Sequence, residues 1–539
     1  MSAVSSGLRS DRRRAGLEFR MLKRAALLLV FVLLFAPCAA AQGPDLATLD
    51  AQFAKALADW NVPGMSIAIV KDGKVVLAKG YGVREMGKPG PVDADTLFAI
   101  ASNTKAFTST LVAMLVDEKK LTWDDRVQQH LPWFQLYDPY VSQDIRVRDL
   151  LSHRSGLGTF SGDLLWYGTP YSREEVIRRA RFLKQASPFR ARYGYQNIMF
   201  VAAGEVAAAV AGQSWDALLK ARVFDRIGMT RTITTFADVR KATNLATPHA
   251  SAFNPLKPFP WYSWDACGPA ASVVSSANDM AKWITLHLNG GTLGDARLFS
   301  ESSQRTLWTT HVTLSVDPNP AVPASSVASS MRLPVHFRGY GLGFSLSDYR
   351  HRFVAEHGGA ADGMFSHVTL VPEEKLGFVI LTNSDTGLSG ALSYVILDAW
   401  LGGDGRDWSQ LFLGRARQVA ATARAERERA GKARVPDTKP SLPLEQYAGR
   451  YVSTMYGDAV VALEHGALVL RLVPNPDMVA DLTHWHFDTF ALAWRREFPW
   501  FGSGRAQFVL DADARVAELK LDVPNDDFWF YELELKRVR

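Results

Sequence analysis

The spacing of apolar and polar positions predicts strands at both ends of one domain, with helices between them. Apolar runs at residues 64–70 and 74–80 flank the turn residues Asp72 and Gly73, so this segment is predicted to form a β-hairpin. Strand patterns return much later, at residues 339–346, 353–357, 366–371 and 376–381. Strands so far apart in sequence indicate one antiparallel sheet that distant segments complete.

Longer apolar stretches, broken by Gly, Pro and Ser, predict that residues 97–290 are mainly helical. Individual helices are expected at residues 46–60, 106–116, 199–210, 280–288 and 390–401. The expected fold class is therefore α/β (α+β): an antiparallel sheet flanked by helices, with a helical lobe inserted after the first hairpin.

The pattern changes beyond residue 400. Residues 413–432 are rich in Ala, Arg and Glu, as is typical of a solvated helix, and Pro436 and Pro440 mark a linker after it. Short alternating runs then predict a small all-β barrel or sandwich. We expect four segments: a signal peptide at 1–41, the α/β domain at 42–405, a helical linker at 406–440 and the β domain at 441–539.

The N-terminus has the layout of an export signal. Seven cationic residues precede the uncharged run 25–36, and Ala39, Ala40 and Ala41 follow it. This order predicts a secretory signal peptide that is cleaved after Ala41, and hence a secreted or periplasmic protein without a stable membrane span. The apolar run is short for a bilayer, which makes an uncleaved anchor the weaker alternative.

Removing residues 1–41 takes away seven positive and two negative charges, so the formal net charge falls from +6 to about +1. No basic patch interleaved with aromatic residues stands out in the remainder, and we expect no nucleic-acid partner. Cys267 is then the one cysteine left, which excludes an internal disulfide. Stability must come from burial, for which nearly 500 residues suffice.

Ser102 and Lys105 lie three positions apart at the start of the apolar stretch 106–116, so their side chains would share the first turn of the predicted helix. A hydroxyl beside an amine supplies a serine nucleophile and a proton acceptor. The positive end of the helix dipole would disfavour the ammonium form by about 0.3–1 kcal/mol if exposed. The spacing arises by chance about once in such a chain, so a capped helix with a solvated lysine is an equal alternative for this motif alone.

Two further motifs follow in order: Tyr195-Gln196-Asn197, and His357-Gly358-Gly359 at the end of a predicted strand. Together with Ser102-x-x-Lys105, they resemble the serine β-lactamase and penicillin-binding-protein superfamily, in particular its class C-like branch with D-aminopeptidases and esterases. Residues 147–157 and 275–280 are similar to connecting segments of that branch. The resemblance covers residues 42 to 400 and implies a β-lactamase/transpeptidase-like fold.

The resemblance implies an acyl-enzyme mechanism without a metal or organic cofactor. Ser102 would be acylated, while Lys105 and Tyr195 would share the proton transfer, with either one as the base. Tyr195 has an ordinary pKa near 10, so a cationic neighbour such as Lys105 would have to lower it. Asn197 would bind the acyl amide of the substrate and Lys105.

The late strand would supply the other half of the site. His357 would stand close to Tyr195, where the family often has a lysine, and the backbone N–H groups of Ser102 and Ala360 would form the oxyanion hole. Gly358 and Gly359 would let a substrate strand approach the backbone closely. A plain Gly-Gly bulge is the alternative for this motif by itself.

His-Gly-Gly departs from the Lys-Thr-Gly of many family members. It lacks the cation and the hydroxyl that hold a β-lactam carboxylate, and a histidine is mostly neutral at pH 7. We therefore expect small-molecule or short-peptide substrates, namely peptides or amides of D-amino acids or small esters. A β-lactamase, a catalytically silent penicillin- or peptide-binding protein, and a scaffold whose barrel recruits partners are the alternatives.

Three further features have two interpretations each. His153 is expected to fasten a loop by a hydrogen bond rather than to act in catalysis, and Cys267 to be a small buried residue rather than a nucleophile. His484, His486 and Asp488 would face one way on a strand, which allows a metal site, but with no fourth ligand apparent we favour hydrogen bonds within the barrel. The β segment resembles the lipocalin-like domain of some class C-like hydrolases, where it would cover the site, narrow the substrate range or mediate a homo-oligomer.

Overall fold

One antiparallel sheet of eight strands forms the framework of the first domain. The strands of this domain are β1 (Gly64–Lys71), β2 (Lys74–Gly82), β3 (Phe98–Ala99), β4 (His249–Ala250), β5 (Lys257–Pro258), β6 (Val274–Ser275), β7 (Thr292–Leu293), β8 (Ala296–Arg297), β9 (Val312–Thr313), β10 (Arg338–Tyr340), β11 (Ser345–Tyr349), β12 (Arg352–Ala361), β13 (Met364–Val371) and β14 (Leu376–Thr382). The main sheet has the order β2-β1-β14-β13-β12-β11-β10-β9, so the first hairpin pairs with the last strand, as predicted.

This computed structural model describes residues 43–250, 255–316 and 333–538. The predicted signal peptide at 1–41 lies outside the described residues. The site described below lies wholly within residues 50–539, which form one compact unit.

Among the described residues, one helix precedes β1, two follow β14, and the others lie in the long insertion between β2 and β9. They are α1 (Leu46–Asp59), α2 (Thr104–Asp117), α3 (Val127–His130), α4 (Pro139–Asp144), α5 (Val147–Leu151), α6 (Arg173–Arg179), α7 (Asn197–Ala211), α8 (Trp215–Leu219), α9 (Asp225–Ile227), α10 (Phe236–Val239), α11 (Gly268–Ala271), α12 (Ala277–Leu288), α13 (Glu301–Leu307), α14 (Leu388–Leu401) and α15 (Trp408–Lys432). Every residue of α2 from Thr104 to Leu115 is buried, the polar Lys105 and Thr108 included, so this helix lies within the core.

The sheet differs from the sequence prediction at one point. Residues 339–346 were expected as one strand, but they divide between β10 and β11, which pair with each other. The reversal contains Gly343 at φ 80°, a left-handed conformation that favours glycine. A Cβ there would lie 2.6 Å from Ser109 Oγ and 2.9 Å from the Lys105 carbonyl oxygen, so the turn packs against the helix that carries Lys105.

The second domain is a closed antiparallel barrel. Its strands are β15 (Gly449–Ser453), β16 (Gly457–Glu464), β17 (Ala467–Leu472), β18 (Val479–His486), β19 (Thr489–Trp494), β20 (Gly504–Leu510), β21 (Val516–Asp522) and β22 (Leu535–Arg537), each paired with the next, and β22 pairs with β15. Of the two predicted forms, barrel or sandwich, the structure is the barrel. The fold class predicted from the sequence is confirmed.

Within the described part of the chain, no single helix is long and apolar enough to cross a membrane. The pair Asn197–Ala211 and Trp215–Ile227 reaches that length and composition only when taken together across a 75° bend.

Candidate active site

Ser102 lies in a 3₁₀ turn, Ala101–Asn103, immediately before α2. Its neighbour Ala101 has φ 46°, in the left-handed region that costs a non-glycine residue about 1 kcal/mol or more. Contacts from two distant segments hold the turn: Ile100 N–H donates to the Val273 carbonyl at 3.0 Å, and Ser366 Oγ donates to the Ile100 carbonyl at 2.7 Å. The conformation at Ser102 therefore depends on tertiary contacts.

Lys105, in the first turn of α2, is fully buried and faces three oxygen atoms. Its Nζ lies 3.0 Å from Ser102 Oγ, 2.7 Å from Asn197 Oδ1 and 3.1 Å from the Ala270 carbonyl oxygen. An ammonium can donate to all three. The neutral amine can donate to the two acceptor-only oxygens and accept the proton of Ser102, which is the arrangement that general-base catalysis requires.

Burial sets the proton affinities at this end of the site. It lowers the pKa of Lys105 to about 7, and nearby negative charge opposes that shift. It raises the pKa of Tyr195 well above its ordinary value, although the Ser102 hydroxyl, hydrogen-bonded to the phenol, acts in the opposite direction. The expectation that the pKa of Tyr195 is brought down is therefore wrong, because desolvation of the buried phenolate is the largest effect on it.

Tyr195 nevertheless lies against Lys105 and His153. Lys105 Nζ lies 4.7 Å from the centroid of its ring, and the His153 ring packs on it with a centroid distance of 4.3 Å. His153 Nδ1 accepts the Gln196 N–H at 2.9 Å, which is the loop-fastening bond expected from the sequence. Burial lowers the pKa of His153, so it is a neutral support beneath Tyr195.

Asn197, the first residue of α7, connects Lys105 to a carboxyl group that the sequence did not single out. Its Oδ1 accepts from Lys105, and its Nδ2 donates to Asp163 Oδ2 at 2.6 Å. Trp166 Nε1 donates to the other oxygen of Asp163 at 2.9 Å. Burial raises the pKa of Asp163 to about 8. One amide hydrogen of Asn197 remains for a substrate carbonyl.

The two glycines on β12 have different surroundings. A Cβ at Gly359 would lie 2.1 Å from the Ile100 carbonyl oxygen and 2.3 Å from Ser366 Oγ, whereas at Gly358 the nearest atom is 3.9 Å away. Gly359 must therefore lack a side chain, because the turn before Ser102 packs directly against β12 at this position. The expected close approach of a substrate strand applies to Gly358 alone.

β12 lies inside the sheet, yet its last residues are open on one side. β11 pairs with residues 352–356 of β12, while β13 pairs with residues 355–361. Gly358 and Ala360 thus lie on a stretch with a strand neighbour on one side only, in the described part of the sheet. The free side lines the same cleft as Ser102.

His357 is close to Tyr195, with a ring centroid distance of 6.1 Å, and both of its ring nitrogens are engaged. Nδ1 donates to the Gly358 carbonyl at 2.5 Å, so Nε2 accepts from the Tyr340 hydroxyl at 3.0 Å. Burial and the nearby Lys105 lower the pKa of His357 to about 3. The imidazole is therefore neutral and supports the strand.

A cleft of about 600 Å³ opens over Ser102, Tyr195, Asn197 and residues 357–360. Besides Tyr195, seven aromatic side chains from the described part of the chain line it: Phe160, Trp166, Trp264, Phe365, Phe412, Trp500 and Phe528. The Asp side chains among its described lining residues are Asp163, which is mostly protonated at pH 7, and Asp527, and no Lys or Arg is among them. Trp500, Asp527 and Phe528 come from the barrel, so the second domain completes the cleft.

No sequence pattern indicates these barrel residues, because a loop between two short strands carries no sign of the cleft that it will line in the folded protein. Cys267, by contrast, is fully buried as expected, and burial raises the pKa of its thiol. It takes no part in the cleft lining.

The side chains of His486 and Asp488, at the end of β18 and just after it, form hydrogen bonds with other parts of the protein and not with each other. A bulge between His484 and His486 breaks the alternation of side chains. His486 Nδ1 accepts from Val435 N–H, and Asp488 accepts from Ser441 and Tyr447. No group of three His, Cys, Asp or Glu side chains in the described residues is arranged to hold a metal ion. The metal interpretation of this segment is therefore not supported.

Comparison with known proteins assigns the first domain. The family described as "Beta-lactamase" matches residues 49–399. The chain belongs to the β-lactamase family. A domain of unknown function, DUF3471, matches residues 433–537, the part of this β-lactamase-family protein that contains the barrel.

Curated relatives of this β-lactamase-family chain are hydrolases and penicillin-binding proteins. "Unguisins hydrolase ungD'" of Aspergillus campestris is 28% identical over 435 residues, 76% of this chain and 77% of the relative. Penicillin-binding protein 4 of Amycolatopsis lactamdurans is 27% identical over 342 residues, 61% of this chain and 83% of the relative. The family and these relatives support a serine hydrolase in general.

A solved structure has the same fold over most of both chains. The octameric penicillin-binding protein homologue from Pyrococcus abyssi aligns with a TM-score of 0.57 and 21% identity, covering 89% of this chain and 98% of that one.

Proposed function

We propose that the protein is an exported serine hydrolase that cleaves ester or amide bonds through an acyl-enzyme on Ser102. Its preferred substrates are small esters, or amides and peptides of D-amino acids, that carry an apolar group and no carboxylate near the scissile bond. The observation that carries this proposal is the 3.0 Å contact between Ser102 Oγ and a buried Lys105 whose pKa is lowered to about 7.

Lys105 is the general base in the proposed mechanism. Near neutral pH much of it is the free amine, whereas Tyr195 remains a phenol because its pKa is raised. Ser102 Oγ bonds to the substrate carbonyl carbon as its proton passes to Lys105 Nζ, and the N–H groups of Ser102 and Ala360 stabilise the oxyanion.

The same groups serve in the rest of the reaction, which is the formation of the acyl-enzyme and its hydrolysis. The tetrahedral adduct collapses to an ester on Ser102 as the leaving group departs with a proton from Lys105, relayed by the Tyr195 hydroxyl. Water then attacks the ester with Lys105 again as the base, releases the acid product and restores Ser102. The remaining Nδ2 hydrogen of Asn197 binds the acyl amide of a peptide substrate.

The lining of the cleft supports the choice of substrates. A β-lactam carboxylate would meet the neutral His357 and, above about pH 6, the negative charge of Asp527, and the described lining residues include no Lys or Arg to bind it. Aromatic walls favour apolar groups by burying their surface. One relative is named for hydrolysis of unguisins and another as a penicillin-binding protein, so both classes belong in a test.

The test is turnover of three chromogenic substrates by the purified protein and by Ser102→Ala. They are p-nitrophenyl butyrate (neutral), D-alanine p-nitroanilide (cationic) and nitrocefin (anionic). We expect turnover of the ester or the D-amide, lost in Ser102→Ala, and little turnover of nitrocefin. Efficient nitrocefin turnover would make the protein a β-lactamase.

Labelling with a fluorophosphonate probe separates the hydrolase from a silent binding protein. A probe adduct on Ser102, absent in Ser102→Ala, is expected. The absence of both turnover and labelling would overturn the proposed function. Export is tested separately by sequencing the N-terminus of the protein from an exporting host, where we expect a start at Gln42.

A further inference from the structure

One part of the cleft wall is a ring of four aromatic side chains, two from each domain. Trp166 and Trp264 belong to the first domain, and Trp500 and Phe528 to the barrel. Neighbouring ring centroids lie 5.0 Å apart for Trp166–Trp264, 6.4 Å for Trp264–Trp500, 6.2 Å for Trp500–Phe528 and 5.8 Å for Phe528–Trp166. These distances are those of interacting aromatic pairs, so the ring is continuous across the domain boundary.

Two of these indoles, one from each domain, donate to a single buried carboxylate. Trp264 Nε1 lies 2.8 Å from Asp362 Oδ2, and Trp500 Nε1 lies 2.8 Å from Asp362 Oδ1. The Tyr167 hydroxyl donates to Asp362 Oδ1 at 2.7 Å. Asp362 is only 4% exposed, and no salt bridge accompanies these three bonds among the described residues.

The position of Asp362 is set by the sheet. It forms, with Gly363, the two-residue turn between β12 and β13, two residues after Ala360. Its three donors lie in irregular segments: Tyr167 follows a 3₁₀ turn, Trp264 precedes another, and Trp500 lies between β19 and β20. Segments without a backbone ladder depend on such side-chain bonds for their placement.

A buried carboxylate is a costly way to join three rings. Burial raises the pKa of Asp362, and the three donors counteract that rise. An apolar residue of similar size would avoid the desolvation cost, but it would leave two indole N–H groups unpaired and their rings free to rotate. The carboxylate therefore fixes the orientation of the two indole rings more than it stabilises the fold.

We propose that Asp362 is a positioning residue that fixes Trp264 and Trp500 as a specificity wall shared by the two domains, and that this wall selects substrates with a bulky apolar group beside the scissile bond. The inference rests on the proposed function for its substrate class. The wall itself can be tested without turnover.

The kinetic test compares p-nitrophenyl acetate with p-nitrophenyl 4-phenylbutyrate in the wild type, Asp362→Asn and Trp500→Phe. Asparagine keeps the shape of aspartate but turns one acceptor into a donor that faces an indole N–H or the Tyr167 hydroxyl. We expect KM for the bulky ester to rise about tenfold in Asp362→Asn and by a smaller factor in Trp500→Phe, with kcat for both esters within about threefold.

Tyr167→Phe is the matched control. It removes a hydrogen bond of similar length from the same carboxylate, but Tyr167 does not line the cleft. A role in stability alone would lower the melting temperature in Tyr167→Phe and Asp362→Asn alike and leave the KM ratio of the two esters unchanged in both. That result would overturn the proposal.

Binding provides a readout if esters are not turned over or Asp362→Asn is poorly folded. Calorimetry on Ser102→Ala, with and without Trp500→Phe, would compare the inert amides 4-phenylbutanamide and butanamide. A preference for the phenyl compound that falls severalfold in the Trp500→Phe background supports the wall. Equal affinities for the two amides would overturn it, whatever the outcome of the hydrolase test.

Discussion

The two ends of the cleft are built in different ways. At the nucleophile end, Ser102, Lys105 and Asn197 are joined by bonds of 2.7–3.0 Å and lie on two helices or directly before one. At the barrel end, Trp264 and Trp500 come from irregular segments 236 positions apart and meet through a carboxylate on a third segment. The groups of the proposed chemistry therefore come from short local motifs that the fold then positions, whereas the proposed selectivity depends on the docking of the two domains.

The largest effect is expected at the nucleophile. Ser102→Ala should lower kcat by about 10⁴-fold or more, because no other group at this end can form the acyl-enzyme. The measurement is ester turnover, with Ser302→Ala on the exposed side of α13 as the control. Retained turnover in Ser102→Ala would move the chemistry away from this end of the cleft.

Lys105→Met should lower kcat about 10³-fold and, at the same time, stabilise the fold. The pKa of Lys105 is lowered from an unfolded value near 10.4 to about 7, so folding must either bury the ammonium, below pH 7, or release its proton, between pH 7 and about 10. This cost is greatest at pH 7 and below, shrinks as the pH rises above 7, and disappears near pH 10. Melting temperatures should therefore rise most in Lys105→Met at acid pH.

The exposed Lys74→Met serves as the control, with no such pH-dependent gain. In the wild type, kcat/KM should increase with pH around an inflection near 7. A gain in stability that is the same at pH 6 and pH 10 would contradict the assignment of a neutral Lys105.

A smaller effect is expected where the nucleophile turn meets β12. Gly359→Ala should destabilise the protein by about 1–3 kcal/mol, because its Cβ would overlap the Ile100 carbonyl and displace the turn before Ser102. Gly358→Ala, whose nearest neighbour is 3.9 Å away, should leave the unfolding free energy unchanged. Chemical denaturation measures both, and equal losses would show that the turn yields to the extra methyl.

The smallest effect belongs to the barrel end. Asp527→Asn should raise KM for D-alanine p-nitroanilide about two- to fivefold at pH 7, where its amino group is mostly protonated, and leave p-nitrophenyl butyrate unaffected. Burial and Asp526 raise the pKa of Asp527 to about 6, so its negative charge is present above that pH and lost below it. At pH 5 the two proteins should have the same KM. A difference that persists at pH 5 would show a steric effect.

Much of the fold could be predicted because its signals are local. The hairpin around Asp72-Gly73, the apolar helix after Ser102 and the alternating strands of the last hundred residues each follow from periodicity and turn chemistry. The break between β10 and β11 could not, because Gly343 turns there to pack against α2, and that contact has no signature in neighbouring residues.

The amino-acid sequence by itself determined which groups carry the proposed chemistry and in what order they occur: Ser102 and Lys105 on one helical turn, Tyr195 and Asn197 before and at the start of another, and two glycines at the end of a strand. Tertiary structure alone decided their proton affinities and the shape of the cleft. Burial, which no residue provides for itself, lowers the pKa of Lys105 and raises that of Tyr195. Asp362 joins rings from both domains: its donors Tyr167 and Trp500 lie more than 300 residues apart in the sequence, and only the folded chain brings them together.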